Sequence, residues 1–121
     1  MQLVSLDSQT KDSIISSVIS TGGYQRQAFW TSGQLFGSNW PANNNPANAA
    51  WVWANDEQVV YSNWCFGQPN NYGGNEENIV TYNGCWFDTP PQTNQYAICE
   101  EIDPVAGALV KQIAGSPLNR K

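Results

Sequence analysis

Histidine is absent from this 121-residue sequence, and charged residues make up only 12 % of it. Without His there is no Ser-His-Asp or Cys-His nucleophile arrangement. The three cysteines, Cys65, Cys85 and Cys99, lack Cys-x-x-Cys spacing, so a zinc finger is excluded as well. Five Lys and Arg stand against ten Asp and Glu, a formal charge of −5. Nucleic-acid binding needs clustered cations, so it is not expected. No apolar run approaches the roughly 20 residues of a membrane-spanning helix, and no membrane insertion is expected. Met1 leads directly into Gln2-Leu3-Val4-Ser5, with no basic region and no long apolar run of a signal peptide. The expectation is either a cytosolic protein or a mature region cut from a longer precursor.

The length suits one domain with a modest core. With so few charges, Asn, Gln, Ser and Thr must solvate the surface. An odd cysteine count in a secreted domain implies one disulfide plus a thiol whose partner lies elsewhere or is missing. Six Trp and many polar loops lean towards an extracellular binder.

Leu3, Val4 and Leu6 form a short apolar run that predicts a strand, and Asp7 or Ser8 can cap the next segment. Ile14, Ile15, Val18 and Ile19 recur at spacings of three and four, predicting an amphipathic helix over Gln9 to Ile19 ended by Thr21-Gly22-Gly23. Gln27 to Thr31 reads as a strand. From Gly37 to Asn48, Asn and Pro dominate and no periodicity survives, which predicts a loop. Trp51-Val52-Trp53 and Val59-Val60-Tyr61 read as two strands joined around Asn55-Asp56. Ser62 to Glu77 is again polar and rich in Gly, Pro and Asn. Asn78 to Tyr82, Cys85 to Phe87 and Tyr96 to Cys99 read as short strands, with Asn83-Gly84 a strong hairpin signal between the first two. In the last segment Val105, Leu109 and Ile113 can form one helical face, or the segment is a tail or linker. The domain is therefore placed at residues 1–103 and a C-terminal tail or linker at 104–121.

The chemistry concentrates in Gln68-Pro69-Asn70, Glu76 and Trp86-Phe87-Asp88. Side-chain amides and carboxylates are hard oxygen donors of the kind Ca²⁺ selects. Each piece has a plainer reading: Gln-Pro-Asn alone is a common turn, and Glu76-Glu77 alone is a solvated acidic pair. Trp30, Trp51, Trp53, Trp64 and Trp86 fall on or beside strands and are assigned to the core. Trp40, in the Asn-rich loop, is the one that can be exposed.

Leu3-Val4-Ser5-Leu6 and its helix, Phe29-Trp30-Thr31-Ser32-Gly33, Trp51-Val52-Trp53, Asn63-Trp64, Gln68-Pro69-Asn70, Trp86-Phe87-Asp88 and Tyr96-Ala97-Ile98-Cys99-Glu100 occur in the order seen in the C-type lectin-like domain. The sequence resembles that family, its invertebrate members especially, over Gln2 to Glu101. The resemblance implies an α+β fold with small antiparallel sheets, an N-terminal helix and a long calcium-binding loop. It also implies a secreted or extracellular carbohydrate-binding module rather than an enzyme, with glycans or glycoproteins as partners. The ligands of Ca²⁺ would be Gln68, Asn70, Glu76 and Asp88. Phe87 stands where the family places an Asn ligand, and its ring cannot coordinate. Calcium is therefore expected to be weak or lost, and a calcium-independent lectin-like interaction module is the alternative. Gln68, Asn70, Glu76, Phe87 and Trp40 are the expected sugar-contacting positions, with galactose-type and mannose-type hydroxyls both open.

The family begins with a further strand and helix, which supply a Cys to the position matching Cys99. That partner is missing here, and the family's second disulfide would fall on Asn78 and Pro91, neither of which is Cys. Cys65 and Cys85 are extra to the common pattern and are read as a pair, with Cys99 free. Without the preceding elements, Leu3, Leu6, Ile14 and Val18 are expected to lose part of their cover, leaving the isolated chain marginal or prone to associate.

Overall fold

The computed structural model describes residues 2–36, 49–102, 109–113 and 118–119. Its single described α-helix, α1, runs Gln9–Thr21. Ser8 caps it in extended conformation, and its Oγ accepts the Lys11 N–H at 3.1 Å. The Gly22 N–H closes the far end on the Val18 carbonyl at 3.0 Å, and Gly23 comes next with φ 83°. Asp12, Ile15 and Ile19 form the buried stripe. Ile14 lies outside that stripe and is exposed, although its spacing places it on the apolar face.

The strands are β1 (Gln2–Leu3), β2 (Phe29–Leu35), β3 (Trp51–Val52), β4 (Asn78–Tyr82), β5 (Cys85–Thr89), β6 (Asn94–Ile102), β7 (Leu109–Ile113) and β8 (Leu118–Asn119). They join in the order β1-β6-β2-β4-β5, with β3 on β2 and with β7 and β8 on β6. All pairings are antiparallel except β2 with β6, so the sheet is mixed rather than wholly antiparallel. The Asn83-Gly84 signal is borne out: both residues have positive φ, 52° and 91°, and join β4 to β5 in a two-residue turn.

Strand alternation divides the apolar residues between two faces. Phe29, Ile79, Trp86 and Ile98 enter the main core with Leu6, Ile15, Trp51 and Trp53. Their neighbours Trp30, Val80 and Ala97 form a smaller cluster on the other face, joined by Leu3, Ala28 and Phe87. Of the five tryptophans assigned to the core, Trp30, Trp51, Trp53 and Trp86 are buried, and Trp64 is half-buried against the main core.

The Thr31-Ser32-Gly33 segment interrupts the β2–β4 register between Trp30 and Gln34. Its side chains replace the lost ladder bonds. Thr31 Oγ1 donates to the Ile79 carbonyl at 2.8 Å and accepts the Gly33 N–H at 3.0 Å. Ser32 Oγ meets Ser5 Oγ at 2.6 Å and accepts the Ala54 N–H at 3.0 Å. A Cβ on Gly33 would lie 2.6 Å from Ile79 Cδ1 and 2.9 Å from Ile79 Cβ. Gly33→Ala is therefore expected to destabilise by about 1–3 kcal/mol through overpacking, read by urea unfolding.

Two expectations are corrected. Val59 to Tyr61 is not a strand; the contact with β3 shrinks to a bridge between Val52 and Gln58, plus the Val59 N–H on the Trp51 carbonyl. The C-terminal segment, read as a helical face or tail, instead contributes β7, which pairs Ile98 to Ile102 of β6. Val105 lies outside the described residues. The expected partial loss of apolar cover is seen: only Leu6 of the four is fully buried, Leu3 and Val18 are half-buried, and Ile14 stands exposed.

Candidate functional site

The polar stretch from Ser62 to Glu77 is held at its start by β5. The Trp86 N–H donates to the Asn63 carbonyl at 2.8 Å, and the Cys65 N–H donates to the Trp86 carbonyl at 2.7 Å. Cys65 and Cys85 form a disulfide with their Cα atoms 5.0 Å apart, and Cys99 is free. Trp64 packs edge-on to Trp86 at 5.7 Å and against Trp51 at 5.3 Å, burying much of its ring under the loop. A chain with almost no helix or strand of its own is thereby fixed from one side.

Beyond the disulfide the Gln68-Pro69 peptide is cis. The chain then turns back on Asp88. The Asn70 N–H donates to Asp88 Oδ1 at 3.1 Å and the Asn71 N–H donates to Asp88 Oδ2 at 2.7 Å. Asn71 has left-handed backbone angles, φ 48° and ψ 42°, a conformation Asn tolerates better than most residues. Its buried Oδ1 accepts the Glu76 N–H at 3.1 Å. Tyr72 comes next, its N–H donating to Glu76 Oε1 at 2.7 Å, with a longer approach to Asn70 Oδ1 at 3.2 Å. The turn over Tyr72–Gly74 closes the circuit from Asp88 through Asn71 to Glu76.

Two buried carboxylates, Asp88 on β5 and Glu76 in the loop, thus hold the same turn. Burial pushes the Glu76 carboxyl up to about 7, the Asp88 charge adds to this, and the Tyr72 N–H opposes it. Burial also raises Asp88, against the N–H groups of Asn70 and Asn71. Gln68 Oε1 is buried and accepts no hydrogen bond. Buried polar oxygens without a donor are rare, because desolvation costs about 1–3 kcal/mol. A cation near these groups would offset both the repulsion and the missing bond. Carboxylate and amide oxygens are of the kind that suits Ca²⁺; Glu76 and Asp88 would supply the charge and Gln68 and Asn70 the neutral oxygens. Among the described residues no group of three or more His, Cys, Asp and Glu side chains is placed to hold a metal ion.

Phe87 packs on the sheet. It pairs with Val80 across β4 and β5, and alternation carries its ring to the smaller cluster, where it meets Tyr82 edge-on at 5.8 Å. Trp86 enters the main core and Asp88, two residues on, takes the same side. Position 87 therefore faces away from the carboxylates. Trp40 lies outside the described residues.

A model of the lectin C-type domain matches residues 1–101. The chain belongs to the C-type lectin domain family. Solved structures agree on the fold. The C-type lectin CEL-I from Cucumaria echinata superposes with a TM-score of 0.58 at 18 % identity, over 92 % of this chain and 64 % of that one. The carbohydrate-recognition domain of a mouse scavenger receptor C-type lectin gives 0.54 at 19 % identity, over 98 % and 70 %. The cow CD23 C-type carbohydrate-recognition domain, solved in the presence of a GlcNAc2Man3 oligosaccharide, gives 0.52 at 20 % identity, over 72 % and 57 %. This lectin-domain chain thus spans under two thirds of the length of CEL-I and of the CD23 domain.

Two residues of this C-type lectin domain escaped the sequence reading. Asn71 carries three of the loop's constraints through its N–H, its amide oxygen and its left-handed backbone. Its signal was the Asn-Asn pair, since Asn is the side chain that most readily enters that conformation. Tyr72 stands exposed beside Glu76. Nothing in its spacing marked it.

Proposed function

We propose that this domain is a carbohydrate-binding module whose sugar is held through a weakly bound Ca²⁺ at Gln68, Asn70, Glu76 and Asp88. The observation that carries the reading is the closeness of Glu76 in the loop to Asp88 on β5, felt as charge repulsion, with the buried Gln68 Oε1 left without a donor. Two adjacent hydroxyls of a hexose would complete the shell of the ion. Exposed Tyr72 offers an aromatic face next to Glu76 for the apolar side of the sugar ring. Two carboxylates only balance the ion, so affinity belongs at the weak end of extracellular sites, about 10⁻⁴ to 10⁻³ M. The partners are glycans or glycoproteins in an extracellular setting, and no catalytic step is assigned. CEL-I and the CD23 domain are lectin-domain proteins by description, which favours the same class of ligand here.

A second reading keeps the fold and drops the metal: a calcium-independent interaction module. The turning away of Phe87 favours it, because the position that would add a ligand is committed to the far face of the sheet. Glycan-array binding with and without chelator separates the two. Chelator-sensitive binding to hexose-terminated glycans is expected; binding unchanged by chelator supports the second reading.

The raised carboxyl groups give a pH test with a definite sign. Glu76 holds its proton more tightly folded than unfolded, so its contribution to stability is full below about 4.5 and is lost as pH rises towards about 7. The direction for Asp88 is the same. The chelated protein should therefore melt at a lower temperature at neutral pH than at mildly acid pH, as far as this pair decides it. Saturating calcium should reverse that trend, because the ion needs both carboxylates ionised. Thermal scans across this range, with chelator and with calcium, read both arms.

A further inference from the structure

Helix α1 carries a second polar feature, away from the loop carboxylates. Ser13, Ser16 and Ser20 recur at helical spacing and, with Asp12, Tyr61 and Asn63, line a surface cleft of about 530 Å³. That volume falls in the range of roughly 300–1,000 Å³ typical of small-molecule sites. A serine stripe alone would be a solvated helix face. Asp12 makes the difference.

Asp12 is 2 % exposed. Its Oδ2 accepts from the Tyr61 hydroxyl and from Asn63 Nδ2, each at 2.9 Å. Asn63 Nδ2 also donates to the Gly84 carbonyl at 2.7 Å, so the amide is fixed against the β4–β5 turn. The other oxygen, Asp12 Oδ1, is buried and has no hydrogen-bond partner. The neighbouring cation does not serve it: Lys11 is 2.8 Å from Glu100 Oε2 and 3.8 Å from Asp7. Neither Lys nor Arg lines the cleft. A buried carboxylate with one oxygen clamped twice and the other unused lacks a cationic donor. Tyr61 holds its proton, its hydroxyl pushed up to about 12 by burial and by Asp12, so the phenol remains a donor.

We infer that this cleft is a metal-free binding site for an ammonium-bearing polyhydroxy ligand of the amino-sugar class, with Asp12 receiving the ammonium. The charge selects the ammonium, and an anionic ligand would meet an acidic cleft without a basic side chain. The serine hydroxyls offer neutral donors and acceptors, and the Asn63 amide oxygen an acceptor, that match ring hydroxyls. The site shares no residue with Gln68, Asn70, Glu76 or Asp88, so it stands or falls apart from the calcium reading.

The test is an amide-resolved NMR titration of the whole chain with glucosamine, in chelator, at about pH 6 so that the amine is protonated. Shifts are expected on α1 and at Tyr61 and Asn63, with affinity on the order of 1 mM. Asp12→Asn should weaken binding about tenfold or more, the loss of one charge-assisted bond. Ser17 is exposed on the helix face and also lines the cleft. Ser17→Trp should therefore fill the cleft and abolish binding without disturbing the core, which keeps the test valid should Asp12→Asn unfold. No shifts with glucosamine, or shifts that survive Ser17→Trp, would overturn the site. Equal binding of N-acetylglucosamine would overturn the role of the ammonium, and equal binding of a blocked lysine would overturn the polyhydroxy class.

Discussion

Asp88→Ala is expected to remove calcium binding altogether and to weaken the fold by about 2–4 kcal/mol. The two effects have separate causes. Asp88 supplies half of the negative charge available to an ion at this site, and a site left with Glu76 alone has a net positive charge once calcium enters. Asp88 also accepts the N–H groups of Asn70 and Asn71 at 3.1 and 2.7 Å. Alanine leaves both donors without their acceptor, and the Asn71 donor is buried. Some stability returns because Glu76 no longer faces a second charge, and its carboxyl should drop from about 7 towards the ordinary range. Calcium calorimetry reads the loss of the ion, and chemical denaturation in chelator reads the loss of stability. An NMR titration of the Glu76 carboxyl reads the relief of repulsion. A variant that keeps wild-type stability would mean that the Asn70-Asn71 turn does not depend on Asp88.

Glu100→Ala should be at least as damaging to the fold, costing about 3–5 kcal/mol. Glu100 is 1 % exposed and joins three elements. Its Oε1 accepts the Ser5 N–H at 2.9 Å, and its Oε2 lies 2.8 Å from Lys11 Nζ, so β6 is tied to the chain after β1 and to the first turn of α1. Removal leaves a buried N–H and a mostly buried ammonium whose remaining partner, Asp7, is 3.8 Å away. Breaking one side of a buried pair is far costlier than replacing both. The double variant Lys11→Met, Glu100→Leu should therefore recover part of the loss, leaving mainly the orphaned Ser5 N–H. Urea midpoints of the two variants against the wild type provide the check. A double variant less stable than Glu100→Ala would contradict the buried-pair explanation.

The contrast between these two carboxylates also shows what the sequence could carry. The helix, the Asn83-Gly84 hairpin and the β4, β5 and β6 strands were legible because periodicity and turn chemistry act locally, within a few residues of chain. The family order of motifs was legible for a different reason, the match of spaced residues to a known pattern, and the Cys65–Cys85 pair with Cys99 free was legible as a departure from that pattern. What failed depended on distant partners. Val59 to Tyr61 has the composition of a strand, yet only a bridge forms and the Tyr61 ring packs on Trp86 instead. Leu109 to Ile113 has a helical spacing, yet the free edge of β6 recruits it as a strand. Phe87 is next to Asp88 in sequence but on the opposite face in space, because side chains along a strand alternate between its two faces. The buried charge of Glu100 and the half-used Asp12 carboxylate are tertiary facts with no local signature.

Calcium titration of the wild-type domain at about neutral pH, followed by isothermal calorimetry and by the fluorescence of the tryptophans packed behind the loop, is the most direct measurement of the proposed function. Saturable binding of one ion per chain is expected, with a dissociation constant of about 10⁻⁴ to 10⁻³ M and an affinity that weakens as the pH is lowered. A folded protein that shows neither heat nor fluorescence change up to roughly 10 mM calcium, well beyond the range of extracellular sites, would contradict it.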